Sequence, residues 1–236
     1  MARPQAARGV QSLDGIAVFQ GLPPDTLTRL QSRCSWRHYE PEEPIIDYLD
    51  TSDDVFFVVA GEARANIYSL LGRVVTFCDL VPGDMFGEYA AIDGVPRSAS
   101  IEARTSCVVA SMSGATFRQV SQTEPAVTQA LLRHLVAKIR TLTTRVYEFS
   151  ALAVANRIQA EVLRLAKLAH KEGKTARIAV APTHAEIANR ISTHREAVTR
   201  ELNRLARLGV IEREGRALVV KDVDRLAAMI QEVTGE

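Results

Sequence analysis

From Pro125 onward the chain carries one narrow apolar stripe: Leu132, Leu135, Ile139, Leu142, Val146, Phe149 and Ala153 recur in alternating steps of three and four. That spacing is the a/d seam of a coiled coil, held for about three heptads. Arg133, Lys138, Arg140, Thr144 and Arg145 lie between the seam positions and cover the other faces. A helix with a single thin stripe must lay it against something, either the chain's own neighbouring domain or a second copy of itself. A stripe this regular favours the copy, so a parallel homodimer is expected.

The texture differs on either side of this helix. Residues 1–13 read as a polar tail, and Leu22 to Gln31 as a short helix beginning near Pro24 or Asp25. From about Glu42 to Ser113 come short runs rich in Val, Ile, Phe and Thr: Pro44–Leu49, Val55–Ala60, Val74–Leu80 and Ser98–Glu102. Gly61, Gly72, Pro82-Gly83-Asp84 and Asp93-Gly94 separate them, which predicts an antiparallel β-roll or jelly roll. After the stripe come a second amphipathic helix, Ala155 to Leu168, a loop over His170–Thr175, and a compact helical segment from Pro182. At 236 residues two domains are natural. The expected division is a β-roll over 14–123, a dimerisation helix over 124–154 and a third module over 155–236. The fold class is α+β.

Within the third module, Thr183-His-Ala-Glu186 and Thr193-His-Arg-Glu196 both have capping-box spacing, each before an apolar-periodic stretch. Two short helices with a tight turn near Ile191-Ser192 make a helix-turn-helix. Gly209 ends the second helix, and Val210 to Lys221 reads as a hairpin turning at Glu214-Gly215. The whole is a winged helix-turn-helix. Base-reading residues in such motifs occupy the outward face of the second helix's first turns, here Arg195, Glu196, Thr199 and Arg200. Arginine matches guanine O6 and N7, and glutamate accepts from cytosine N4. Glu196 is also open to a purely capping role, and Arg200 to a phosphate contact alone. Thr183, Thr193 and His194 complete the expected DNA-facing set. Charge agrees with this placement: residues 151–236 hold 15 Lys and Arg against 11 Asp and Glu, whereas residues 1–150 hold 14 against 17.

Other classes lack their residues. The cysteines at 34, 78 and 107 form no CxxC pair and read as reduced thiols, and no metal site is expected. His184-Ala-Glu186 resembles the opening of a zinc deaminase motif, but no cysteine follows Cys107 to complete it. With no HExxH, GxSxG or Walker loop, an enzyme is not expected. The amino-terminal residues lack a signal peptide's apolar stretch, and the longest strongly apolar run, Val55 to Ala60, is far too short to span a bilayer. A cytoplasmic protein with no membrane partner is expected.

Phe86-Gly87-Glu88-Tyr89-Ala90-Ala91-Ile92-Asp93-Gly94-Val95-Pro96-Arg97-Ser98-Ala99-Ser100 is a glycine-led helical turn, a loop, and a strand opening with Arg-Ser. Gly87 permits close backbone approach, and free N–H groups from Glu88 through Tyr89 and Ala90 to Ala91 favour an anion. Arg97 offers a planar fork for phosphate oxygens, Ser98 a hydroxyl, and Glu88 an acceptor for a sugar hydroxyl. Arg97→Ala is therefore expected to abolish ligand binding and leave the fold and its melting unchanged.

Residues 86–100 resemble the phosphate-binding cassette of cyclic-nucleotide-binding domains. The order of elements over 20–225 resembles the cyclic AMP receptor (CRP/FNR-type) family of bacterial transcription regulators. The resemblance implies that Glu88 holds the ribose 2′-hydroxyl and that Arg97 and Ser98 hold the cyclic phosphate. Phe77 and Cys78 would then line the purine side. It places Leu142 and Thr143 where adenine-reading members carry a Thr-Ser pair, the second residue reaching the partner's ligand. Leu142 departs from that pattern because it has no hydroxyl. Arg195 to Arg200 matches the family's recognition helix at its three principal base-reading positions, with His194 in place of the usual serine. The implied function is a cyclic AMP-responsive homodimer that binds TGTGA-like palindromes and touches RNA polymerase, with loop 170–175 in the polymerase-facing position. No cofactor beyond the allosteric nucleotide is implied. The alternatives are the same fold sensing haem or another metabolite, or a constitutive DNA binder.

Overall fold

The computed structural model describes residues 11–68 and 74–234. The chain divides into two compact units at Lys138/Ile139, each with its own core. Most of the expected tail (residues 1–10) and the turn glycine Gly72 lie outside the described residues. Leu13 is no part of a solvated tail: it is fully buried in the first core beside Ile16 and Phe19.

The first unit begins with a 3-10 turn, Ala17–Phe19, and helix α1, Pro24–Gln31. Pro23 and Pro24 suit this start, because the first helical amides have no intrahelical acceptor to lose. The strands are β1 (Ser35–Tyr39), β2 (Pro44–Ile46), β3 (Val55–Ala60), β4 (Ala63–Tyr68), β5 (Val74–Leu80) and β6 (Met85–Phe86). A short helix α2 (Glu88–Asp93) precedes β7 (Ser100–Ala103) and β8 (Cys107–Met112). They form two antiparallel four-stranded sheets, ordered β1-β8-β3-β6 and β2-β7-β4-β5. This is the expected β-roll, begun one strand earlier than the apolar texture shows. A register shift between Ala65 and Asn66 turns both inward, and Thr76 Oγ1 donates to Asn66 Oδ1 at 2.9 Å in the interior.

Helix α3 (Gly114–Thr123) is capped by Ser113, whose hydroxyl accepts from the Thr116 amide. Helix α4, Pro125–Ala151, carries the chain into the second unit. Val127 and Leu131 are buried in the first core and Leu135 packs against it, which places the division inside the helix rather than at its start. Leu135, expected on the seam, therefore serves the chain's own core, and Val136 stands exposed instead. Leu132, Val136, Ile139, Leu142, Val146 and Phe149 remain 40–65% exposed along the helix, with the Arg157 guanidinium 5.1 Å over the Phe149 ring.

The second unit adds α5 (Val154–Leu168), β9 (His170–Glu172), β10 (Thr175–Ile178), α6 (His184–Arg190) and α7 (Arg195–Arg207). It closes with β11 (Ile211–Glu214), β12 (Ala217–Val220) and α8 (Val223–Thr234). The β11–β12 hairpin is the wing, within a sheet ordered β11-β12-β10-β9. The stretch expected as a loop, His170–Thr175, is instead a strand hairpin turning at Gly173. The buried carboxylate of Glu161 on α5 meets Arg145 at 3.4 Å and Arg190 at 3.7 Å, and accepts from Arg164. Arg164 also grips Glu148 at 2.7 and 2.9 Å. This buried cluster fastens the end of α4 to α5 and α6.

Candidate functional site

Gly87 adopts φ +81°, and a Cβ there would sit 2.8 Å from both Arg97 Nη1 and the Asp54 carbonyl oxygen. The position needs glycine for its conformation and for its space. The close approach serves the protein's own Arg97. That side chain is 3% exposed and donates to Gly87 O at 2.9 Å, Asp54 O at 2.9 Å, and Ser52 Oγ at 3.1 and 3.2 Å. Its backbone also pairs with the same loop, Arg97 N to Asp50 O at 2.8 Å and Leu49 N to Arg97 O at 3.0 Å. Burial draws the guanidinium pKa below its ordinary value, against Asp50, Asp54, Asp53 and Glu88. Arg97 therefore pins loop 49–54 to the start of α2. The expectation that its removal leaves the fold untouched is corrected by these bonds.

Glu88 is 1% exposed, and its Oε1 takes Lys138 Nζ at 2.7 Å and His134 Nε2 at 3.5 Å. Burial pushes its pKa up, but the hydrogen bond from His134 and the Lys138 charge outweigh it and hold the carboxyl below the usual range. Lys138 Nζ also lies 5.0 Å from the centre of the Tyr89 ring. The Lys138 and His134 contacts both fall on Oε1, and a backbone amide also bonds the carboxylate. Cys78 and Thr76 share one face of β5, and the Cys78 thiol lies within the field of Lys138 and Glu88. Phe77 alternates with them and is 44% exposed, on the opposite face of the strand. Ala90 is buried, while Tyr89 and Ser98 are exposed. His134 and Lys138 were absent from the expected set. Their signal was the i, i+4 spacing of two basic residues off the apolar stripe.

On α4 in the second unit, Leu142 is 51% exposed and Thr143 donates back to Ile139 O at 3.0 Å. Thr143 keeps its acceptor lone pairs.

The residues expected to face DNA are built differently. Thr183 caps α6 in a complete capping box: its Oγ1 accepts from Glu186 N at 3.2 Å, and its amide donates to Glu186 Oε2 at 2.7 Å. The second expected box is absent. Helix α7 has His194 as its N-cap with no side-chain cap, and Thr193 N instead donates to Ala188 O. Glu196 is thus released from capping and, with Arg195 and Arg200, is exposed. Val198, Leu202 and Leu205 lie on the opposite, buried face. Thr199 Oγ1 is engaged, donating to Arg195 O at 3.0 Å and lying 2.7 Å from His184 Nδ1. A cavity of about 900 Å³ opens between α5 and α7, bordered by Ala155, Ala197, Arg200 and Arg204.

A β-roll with a glycine-led Glu/Arg cassette, a striped helix and a winged helix-turn-helix define a DNA-binding regulator of homodimer type with a small-molecule-binding amino-terminal half. Two family models match in that order, the cyclic nucleotide-binding domain over 36–124 and the Crp-like helix-turn-helix domain over 157–229. The chain belongs to the CRP/FNR family of transcription regulators. It is similar to the CRP-like cAMP-activated global transcriptional regulator of Mycobacterium tuberculosis, 26% identical over 89% of this chain and 94% of that protein. It is 29% identical to the cAMP-activated global transcriptional regulator Vfr of Pseudomonas aeruginosa, over 82% of this chain and 92% of that protein. Among solved structures, the c-di-GMP responsive global regulator CLP of Xanthomonas campestris shares the fold. Its TM-score is 0.72 at 21% identity, covering 84% of this chain and 99% of that one. Among the described residues no helix is long and apolar enough to cross a membrane, and no group of three or more His, Cys, Asp or Glu could hold a metal ion.

Proposed function

We propose that this chain is a homodimeric transcription regulator that binds two-fold DNA sites through α7 under the control of a small effector at the Glu88–Arg97 cassette. Cyclic AMP is the first candidate. The observation that carries the reading is the Lys138–Glu88 pair: the cassette's carboxylate is held by a cation on the helix that bears the exposed stripe. An effector that shares or displaces that contact acts directly on α4. For a cyclic nucleotide, the 2′-hydroxyl would take the Glu88 carboxylate, Ser98 and the α2 amides would meet the phosphate, and Thr143 would face the partner's ligand. The exposed stripe supports the dimer. The mode of output, a TGTGA-like half-site and its inverse TCACA, rests on Arg195, Glu196 and Arg200. The β9–β10 hairpin, with exposed His170, Lys171 and Glu172, is the segment offered to RNA polymerase. A cytoplasmic site of action follows from DNA as the target.

A second reading, an effector of different chemistry or none, is favoured by a specific observation. Arg97 already gives its hydrogen bonds to Ser52, Asp54 and Gly87, and Lys138 already neutralises Glu88. Leu142 also lacks the hydroxyl an adenine reader needs. Calorimetric titration of cyclic AMP, cyclic GMP and cyclic di-GMP, followed by operator affinity with and without each, separates the readings. Saturable cyclic AMP binding with an operator affinity change of about 5–150-fold supports the first. No heat and unchanged operator affinity overturn it in favour of the second.

A further inference from the structure

His184 opens α6 immediately after its capping threonine, and its ring faces the recognition helix. Nδ1 lies 2.7 Å from Thr199 Oγ1, and that hydroxyl lies 3.0 Å from the Arg195 carbonyl oxygen. A carbonyl oxygen can only accept, and a hydroxyl has one proton to give. Once Thr199 donates to Arg195 O, His184 Nδ1 must be the donor to Thr199. The neutral ring is therefore the Nδ1–H tautomer, with its lone pair on Nε2. In that form Nε2 repels a phosphate oxygen. When protonated, it donates to one.

The surroundings set the direction of the linkage. The charges acting on the ring are Arg213 from β11 in the wing and Arg195 from the first turn of α7, and Glu186 on its own helix is engaged with the Thr183 amide. Burial, then Arg213, then Arg195 lower the imidazole's pKa, so the free protein holds it neutral at neutral pH. These same elements meet the duplex in a winged helix-turn-helix, where phosphates neutralise arginines. A phosphate arriving beside Arg195 and Arg213 offsets their field at His184 and raises its pKa.

We propose that DNA binding by this chain takes up a proton at His184, whose imidazolium donates Nε2–H to a backbone phosphate while Nδ1–H holds Thr199 and the first turn of α7. The proposal rests on the DNA-binding reading. Affinity rises as pH falls through the pKa of the complex and levels off below that of the free protein.

The test is a set of anisotropy titrations at low ionic strength, where phosphate contacts dominate, between about pH 5.5 and 8. The probes are a duplex carrying TGTGA and its inverse TCACA, and a random-sequence duplex of equal length. For the wild type, Kd should rise up to about tenfold per pH unit for each engaged half-site. His184→Gln keeps a donor for Thr199 but does not titrate, so its profile should be flatter. His184→Arg carries a fixed charge and should bind tightly with an equally flattened profile. His38→Gln, on the exposed strand β1 of the first unit, should keep the wild-type slope. A wild-type slope retained in both His184 variants, or lost in His38→Gln instead, overturns the proposal. A wild type that binds with no pH dependence overturns the proton linkage alone, whereas no binding to either duplex overturns the DNA-binding reading and this proposal with it.

Discussion

Arg97 and Arg200 stand in opposite surroundings. Arg97 is buried, and its guanidinium is spent on Ser52, Asp54 and Gly87. Arg200 is exposed on α7, above the buried Val198 and Leu202. The carboxylates differ in the same way: Glu88 is held by Lys138 and His134, while Glu196 is exposed and free of a capping duty. The proposed DNA-reading face therefore keeps its charged groups in water. At the proposed effector site Arg97 and Glu88 already have protein partners, and an effector there would exchange one set of partners for another. Exchange yields only a difference between hydrogen bonds, of about 1 kcal/mol each. A coupling of about 1–3 kcal/mol is then the natural scale for such a switch.

The largest effect should come from a group that has no role in either site. Glu161 is 1% exposed and faces Arg145, Arg164 and Arg190. Glu161→Ala removes the buried carboxylate that Arg145, Arg164 and Arg190 share, and should cost about 3–5 kcal/mol. Thermal unfolding should show the second unit's transition displaced downward. An unchanged melting profile would mean that the cluster is solvated in solution.

Arg97→Ala sharpens the contrast directly. It strips charge-assisted bonds from the carbonyls of Gly87 and Asp54 and from Ser52, so the ligand-free protein should lose about 2–4 kcal/mol of stability. Arg200→Ala, removing an equal charge from an exposed site, should change stability by no more than about 0.5 kcal/mol. Its effect should appear in operator binding, as a loss of about 1–3 kcal/mol. Equal melting of the two variants would break the comparison.

Much of this arrangement is legible in local sequence. The Gly87-Glu88 to Arg97-Ser98 spacing, the Thr183 capping box and the α7 periodicity are each written within fifteen residues or fewer. What is not legible depends on distant partners. Arg97 reads as a free phosphate fork because Ser52 and Asp54 lie 45 and 43 residues away. Strand β1 is mostly exposed and carries Arg37 and His38, so it lacks the apolar alternation of a half-buried strand. Strand β9, His-Lys-Glu, is exposed throughout and reads as loop. Leu135 and Val136 exchange roles because the first core takes one side of α4, which no heptad count reveals.

Glu196→Gln separates base reading from a structural role. Because α7 has no side-chain cap, the substitution should leave stability unchanged. If the carboxylate accepts from cytosine N4, the amide also donates, and preference at that base pair should relax by about 1–3 kcal/mol. A binding selection over randomised half-sites at matched salt reads this out. Identical sequence preferences for wild type and variant would leave Arg195 and Arg200 carrying specificity.

The smallest effect is the sharpest test of how the two helices of the motif begin. Thr183 and Thr193 each precede a glutamate three residues on, so sequence alone gives them equal weight. In the structure only Thr183 closes the reciprocal pair with Glu186. After Ile191 the chain passes through Ser192 at φ +50°, and this left-handed step leaves His194, not Thr193, at the α7 N-cap. Thr183→Ala should therefore cost about 1 kcal/mol, the usual loss of a side-chain cap. Thr193→Ala removes no cap and should fall within about 0.5 kcal/mol of wild type. Denaturant unfolding of the two variants, compared at equal m-value, resolves this difference. Equal losses would restore the second capping box, return Glu196 to a structural role, and remove the reason to expect base reading there.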